Sequence, residues 1–121
     1  MVFSQVHRIN IVPGEIPPIY HAAKGDGSGR NIVCELMDGD GPAYPGNDVT
    51  ASIVAITPDG QSLTANASLS TYDGYTRASF PLTSAFTAVA GRVVCRVKLT
   101  EGISGLVGTG KFYIDVEDLN T

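Results

Sequence analysis

Thr87-Ala-Val-Ala-Gly-Arg-Val-Val-Cys-Arg-Val-Lys-Leu-Thr100 alternates with a period of two through its second half. Val93, Cys95, Val97 and Leu99 fall on one side, and Arg92, Arg96 and Lys98 on the other, with Val94 the exception. Branched apolar residues inward and cations outward describe a strand with one buried face. Gly91 punctuates its start. The lead-in Thr83-Ser-Ala-Phe-Thr-Ala-Val-Ala90 is expected to form a short helical turn that crosses over and feeds a central strand. The rest of the chain then has to pack on the apolar row of that strand.

Working outward, the same period recurs. Residues 31–37 place Ile32, Cys34 and Leu36 inward and Glu35 outward. Residues 49–56 carry Val49, Ala51, Ile53 and Ala55 on one face and Val54 and Ile56 on the other, so this strand is either internal or covered by a partner. Thr57-Pro-Asp-Gly60 is a turn, and residues 61–70 alternate again. Tyr72-Asp-Gly-Tyr75 turns the chain into a strand at 76–82, and Glu101-Gly-Ile-Ser-Gly105 turns it into the last strand at 106–116. A first strand at 5–11 alternates imperfectly around Val6, Ile9 and Ile11, which leaves His7 on its solvated polar side. About eight short strands at roughly 8–12-residue spacing predict a single antiparallel immunoglobulin-like β-sandwich. One domain spans 1–121, with an arm at 12–22 and the sandwich at 30–117.

The arm, Pro13-Gly-Glu-Ile-Pro-Pro-Ile-Tyr-His21, does not fit that pattern. Its prolines fix φ and remove backbone donors, so it can be neither helix nor inner strand and should run extended. Yet Ile16, Ile19 and Tyr20 are apolar, so it must lie against its own domain or a neighbouring subunit. Pro13, Glu15, Ile16, Pro17, Pro18, Ile19 and Tyr20 are therefore the candidate subunit interface.

Composition narrows the function classes. The chain has 121 residues, 14 glycines, 7 prolines, no tryptophan and a net charge of −4. Scattered charge of this sign is not the clustered Lys and Arg of a nucleic-acid interface. No apolar run approaches the ~20 residues of a membrane span. The N-terminus shows no apolar signal core, so a cytoplasmic origin is expected. Cys34 and Cys95 both face inward, as an inter-sheet disulfide or as two buried thiols; the compartment favours thiols, and the bonding state stays open. With Leu36, Val93, Val97 and Leu99 they form the expected core scaffold.

No catalytic, metal or cofactor constellation is visible. Asp38-Gly-Asp-Gly41 begins like a calcium loop, but Pro42 and Val49 occupy positions where ligands are needed. His7 and His21 lack zinc spacing. Gly25-Asp-Gly-Ser-Gly29 lacks the ending of a phosphate loop. The row Arg92, Arg96, Lys98 is either a solvated face or a docking stripe for an acidic neighbour.

Three segments together resemble a known family: Pro13-Gly-Glu-Ile-Pro-Pro-Ile-Tyr-His21 with the strand after Gly29-Arg30; Thr57-Pro-Asp-Gly60; and Thr87–Leu99 followed by Gly108-Thr-Gly-Lys-Phe-Tyr-Ile-Asp-Val-Glu117. In this order they resemble the N-terminal domain of phage baseplate upper proteins, over residues 5–117. The resemblance implies a non-catalytic virion structural protein, an adaptor or anchor of a baseplate, tail fibre or decoration subunit. It would be made in the bacterial host cytoplasm, carried in the virion, and act through contacts with other phage subunits as a homo-oligomer. Nucleic acid, membrane and small-molecule substrate are not expected partners. Family members continue past this domain, whereas this sequence ends at Asp118-Leu-Asn-Thr121, either as a piece of a longer subunit or as a stand-alone one. The alternative is a carbohydrate- or host-receptor-binding module, for which Tyr44, Tyr72 and Tyr75 are the stacking candidates.

Overall fold

The period of two in residues 91–100 forms a strand that buries Val93, Cys95, Val97 and Leu99. The structure is a computed structural model and describes residues 3–12, 14, 16–27, 30–43, 48–102 and 105–118. That strand is the eighth of nine: β1 (Phe3–Asn10), β2 (Ile19–Ala23), β3 (Arg30–Asp38), β4 (Gly41–Pro42), β5 (Val49–Ile56), β6 (Ser62–Tyr72), β7 (Tyr75–Pro81), β8 (Gly91–Glu101) and β9 (Gly105–Glu117). They make one mixed sheet in the order β1-β3-β7-β6-β5-β8-β9-β2, with β4 pairing to the end of β3. The sheet folds over at β6, whose first half pairs with β5 and whose second half pairs with β7.

The turns explain the antiparallel part. Gly60 donates its N–H to Thr57 O at 2.9 Å between β5 and β6. Between β6 and β7, Asp73 (φ 50°) and Gly74 (φ 82°) are both left-handed. Two positive φ values in a two-residue loop twist a hairpin the way its strands already twist. Asp38-Gly-Asp-Gly41 is the tight turn into β4.

The expected antiparallel immunoglobulin-like sandwich is corrected in two respects. β1 pairs with β3, and β2 with β9, in parallel. The two ends of the sheet, β1 and β2, then approach each other, so the structure is nearly a closed barrel. Parallel pairs need long connections rather than tight turns, so no local turn motif marks them. The expected helical turn at 83–90 is also corrected. Phe86 N bonds Thr83 O and Thr87 N bonds Ser84 O, but the segment continues as turns and bends and no helix forms among the described residues. Thr87 secures this crossing instead, donating its hydroxyl to Asp26 O at 2.5 Å and accepting the Gly25 N–H on its backbone carbonyl.

The seam between β1 and β2 is closed by side chains. Tyr20 of β2 is fully buried, and its hydroxyl donates to Val33 O of β3 at 2.6 Å. Gln5 of β1 reaches across with both ends of its amide: Nε2 donates to His21 O at 2.6 Å and Oε1 accepts the His21 N–H at 2.9 Å. One side-chain amide thus supplies what a ladder rung would. His7 packs edge-on to the Tyr20 ring at 4.6 Å, so it is half-buried against the seam rather than solvated, and Val6 takes the outward place at 44% exposure. At the far end of β1, Ile9 lies against Gly110 of β9, where any Cβ would collide with the Ile9 methyl.

The core is one cluster drawn from both ends of the sheet and includes Ile32, Cys34, Leu36, Ile53, Phe80, Phe86, Val93, Cys95, Phe112 and Ile114. Cys34 and Cys95 are free thiols in it. Burial pushes the Cys34 thiol up to about 12 and raises Cys95 as well. Thiolate is the reactive form, so both are inert while the fold holds.

Two measurements check this account. Tyr20→Phe strands the Val33 carbonyl and should cost about 1–3 kcal/mol in urea unfolding; Gly110→Ala should cost a similar ~1–3 kcal/mol by overpacking against Ile9. A midpoint unchanged in either would remove the seam from the list of stabilising features. Ellman's reagent at mildly alkaline pH should find both thiols only after denaturation; fast labelling of the native protein would contradict the burial of Cys34 and Cys95.

Candidate functional site

The outward faces of the sheet carry the remaining chemistry. On one side, the β1–β3–β7 register sets Arg8 beside Glu35 and Glu35 beside Arg77. Arg8 Nε donates to Glu35 Oε1 at 3.0 Å, and Arg77 donates to Glu35 Oε2 at 3.0 Å. Glu35 points outward as expected, yet it is only 6% exposed because the two arginines cover it. The arginines are in turn seated over tyrosines, Arg8 over Tyr75 at 4.8 Å and Arg77 over Tyr72 at 4.0 Å. Tyr72 and Tyr75 therefore each give a ring face to an internal cation, which competes with a sugar for the same surface. Tyr44 lies outside the described residues.

On the other side, the register of β5, β8, β9 and β2 lines up Ile56, Val94, Tyr113 and Ile19 in one outward row. The next row holds Val54, Arg96 and Lys111. Arg92 is engaged internally: it donates to both Asp115 oxygens, at 2.8 and 3.0 Å, and lies over Tyr113 at 4.6 Å. Of the expected stripe, Arg96 and Lys98 remain outside any ion pair among the described residues, and Lys111 joins them, directly opposite Arg96. Like charges opposite one another on neighbouring strands are unfavourable unless something anionic sits over them. Lys111 was hidden in the sequence by the glycines before it, and only the β8–β9 register brings it to Arg96.

The proline arm borders this face. Tyr113 N donates to Pro18 O at 3.0 Å, which ties the arm to β9. Pro17 and Pro18 line a groove of about 480 Å³ together with Ile16, Met37, Asp40, Arg96 and Lys111. Asn10 also lines it: its amide donates to Gly39 O at 2.9 Å and accepts the Gly39 N–H at 3.0 Å. The candidate interface residues separate here. Tyr20 belongs to the protein's own core; Ile19, Pro17 and Pro18 are half-buried; Ile16 stands out at 92% exposure. Pro13 and Glu15 lie outside the described residues. The six scaffold residues Cys34, Leu36, Val93, Cys95, Val97 and Leu99 are all buried.

No group of three or more side chains suited to a metal occurs among the described residues. Two carboxylates are held well below their ordinary range. The Arg92 guanidinium does this for Asp115. For Asp26 the Ala23 backbone N–H contributes most, with Arg30 adding to it.

No family model matches the chain, and no curated protein matches it by sequence. Among solved structures it is similar to the N-terminal domain of phage TP901-1 ORF48, with a TM-score of 0.61 at 9% identity over 97% of this chain and 100% of that one. At that identity the similarity is one of fold.

The depressed carboxylates set the sign of the acid response. Their stabilisation is complete above the unfolded carboxylate value of about 3.9 and is lost as pH falls through the lower folded value. Asp26→Asn with Asp115→Asn should therefore lower the melting temperature at neutral pH and flatten its fall below about pH 4. An acid limb as steep as the parent's would show that other groups carry it.

Proposed function

We propose that this chain is a phage or prophage virion structural protein, a non-catalytic adaptor or anchoring domain of a baseplate, tail fibre or decoration subunit that works through protein–protein contacts. The observation that carries this reading is the fold similarity, which runs the length of both chains to a phage N-terminal domain. The resemblance of its ordered segments to the baseplate upper protein family, read from the sequence alone, points the same way. The surface chemistry is compatible with it: the cysteines are buried, and an apolar arm tip and an outward apolar row are exposed.

The subunit contact of this proposal is the arm, with Ile16 as its anchor. Prolines fix the shape of the segment before it binds, so docking Ile16 orders little new chain. The contact recurs in every copy, which makes a homo-oligomer the natural assembly. Pro13, Glu15, Pro17, Pro18 and Ile19 flank the anchor, and Tyr20 roots it in the core.

Particles purified from an induced lysogen and labelled with antibody to this chain should carry the label on the virion; label confined to the soluble fraction would sink the reading. For the contact itself, Ile16→Asp should shift light scattering from oligomer to monomer while the melting curve stays put. So exposed a substitution changes stability by no more than about 0.5 kcal/mol. An oligomer indifferent to Ile16→Asp places the subunit contact elsewhere.

A further inference from the structure

The outward face of β5, β8 and β9 has a pattern that its own fold uses only in part, through Arg92 over the Tyr113 ring. Arg96 and Lys111 face each other with no carboxylate partner among the described residues. One step along the strands lies the apolar row of Ile56, Val94 and Tyr113, with Ile56 at 47% exposure. Val54 and Ile56 give β5 apolar residues on both faces, although its inward face alone supplies the core. Pro17 and Pro18 line a groove with Arg96 and Lys111 at the edge of this face, and the apolar row lies on the open face next to it.

We propose that this groove binds an extended acidic–apolar segment of a different polypeptide. The two rows are two residues apart along β8, about 6.8 Å. An extended chain repeats its same-side residues at that spacing. It can therefore set a carboxylate over Arg96 and Lys111 and its next same-side residue, an apolar one, over Val94 and Tyr113. The Lys111 ammonium already lies 5.4 Å from the Tyr113 ring centre, so it sits at the boundary between the two rows. Asp40 also lines the groove and opposes the field, and Arg8 shares Glu35 with Arg77, so the cations of the lining remain in excess. Ile16, the proposed subunit anchor, lines the same groove, so that contact borders this site; a second copy seated on the cations themselves would bring Arg96 and Lys111 against their own copies, which disfavours self-docking there. Arg92, the first residue of the cationic stripe, is excluded because Asp115 holds it.

The test uses fluorescence anisotropy with a labelled ten-residue peptide of alternating aspartate and valine. It should bind the whole chain and weaken when salt is raised from about 0.05 to about 0.5 M. Arg96→Ser with Lys111→Ser should weaken binding on the order of tenfold or more, and Arg96→Lys should largely retain it. A peptide with lysine for aspartate should not bind. Binding equal in the parent and the double variant overturns the proposal, as does no binding of the acidic peptide. So does a self-associated oligomer that falls apart in the double variant, since a second copy would then be the occupant. Particle labelling is read separately. A chain present on particles but indifferent to the peptide loses only this site, and one that binds the peptide but is absent from particles loses only the virion role.

Discussion

A sheet whose two ends meet without a backbone ladder needs something else to hold them, and here that is Tyr20. Its ring belongs to the core and packs on Phe112 at 5.3 Å. Its hydroxyl donates to Val33 of β3 and its ring meets His7 of β1, the parallel pair at the opposite end of the sheet. Burial drives the phenol's ionisation far upward, so it remains a hydrogen-bond donor. A buried phenol in this position has to find partners, and a mixed near-barrel places them within reach. Gln5 repeats the device at the surface, giving both halves of its amide to His21. The remaining architecture follows from bringing β1 and β2 together: the glycine at 110 that lets Ile9 approach, and the arm that crosses from one side of the seam to the other.

The same closure leaves two outward faces with different characters. Around Glu35 the charges are consumed internally, two guanidiniums on one carboxylate and each guanidinium over a tyrosine. Charge-assisted hydrogen bonds of this kind fix strand positions laterally. Around Tyr113 the charges are incompletely matched, with Arg92 paired and Arg96, Lys98 and Lys111 outside ion pairs among the described residues. One face keeps the sheet rigid, and the other can lower its free energy by meeting an anionic neighbour.

Particular residues show how far the sequence could be read. The alternation of 91–100, 49–56 and 31–37 identified β8, β5 and β3 and their inward residues, because a half-buried strand must alternate. Thr57-Pro-Asp-Gly60 and Tyr72-Asp-Gly-Tyr75 identified two hairpins, because those turns demand those residues. β1 was read with its polar and apolar positions misjudged: Val6 lies outside and His7 inside, since the inward place near the seam is shared with a tyrosine ring and accepts an imidazole edge. The arm was read as extended chain lying against its own domain or a neighbouring subunit; at its end Ile19–Ala23 is an edge strand, which tolerates prolines just ahead of it because Pro18 only has to accept a hydrogen bond.

What the sequence determined by itself is therefore the all-β class, most of the strands and the core row of β8. Each is a local property, set by side-chain period or by backbone restriction within a few residues. The parallel pairing of β1 with β3 and of β2 with β9, the joining of Arg8 and Arg77 on Glu35, and the meeting of Arg96 with Lys111 were decided only by the tertiary structure. Those contacts link strands distant in the chain, and their register depends on how the whole sheet closes. That closure is a property of Tyr20 and its partners acting together, which no single stretch of the sequence contains.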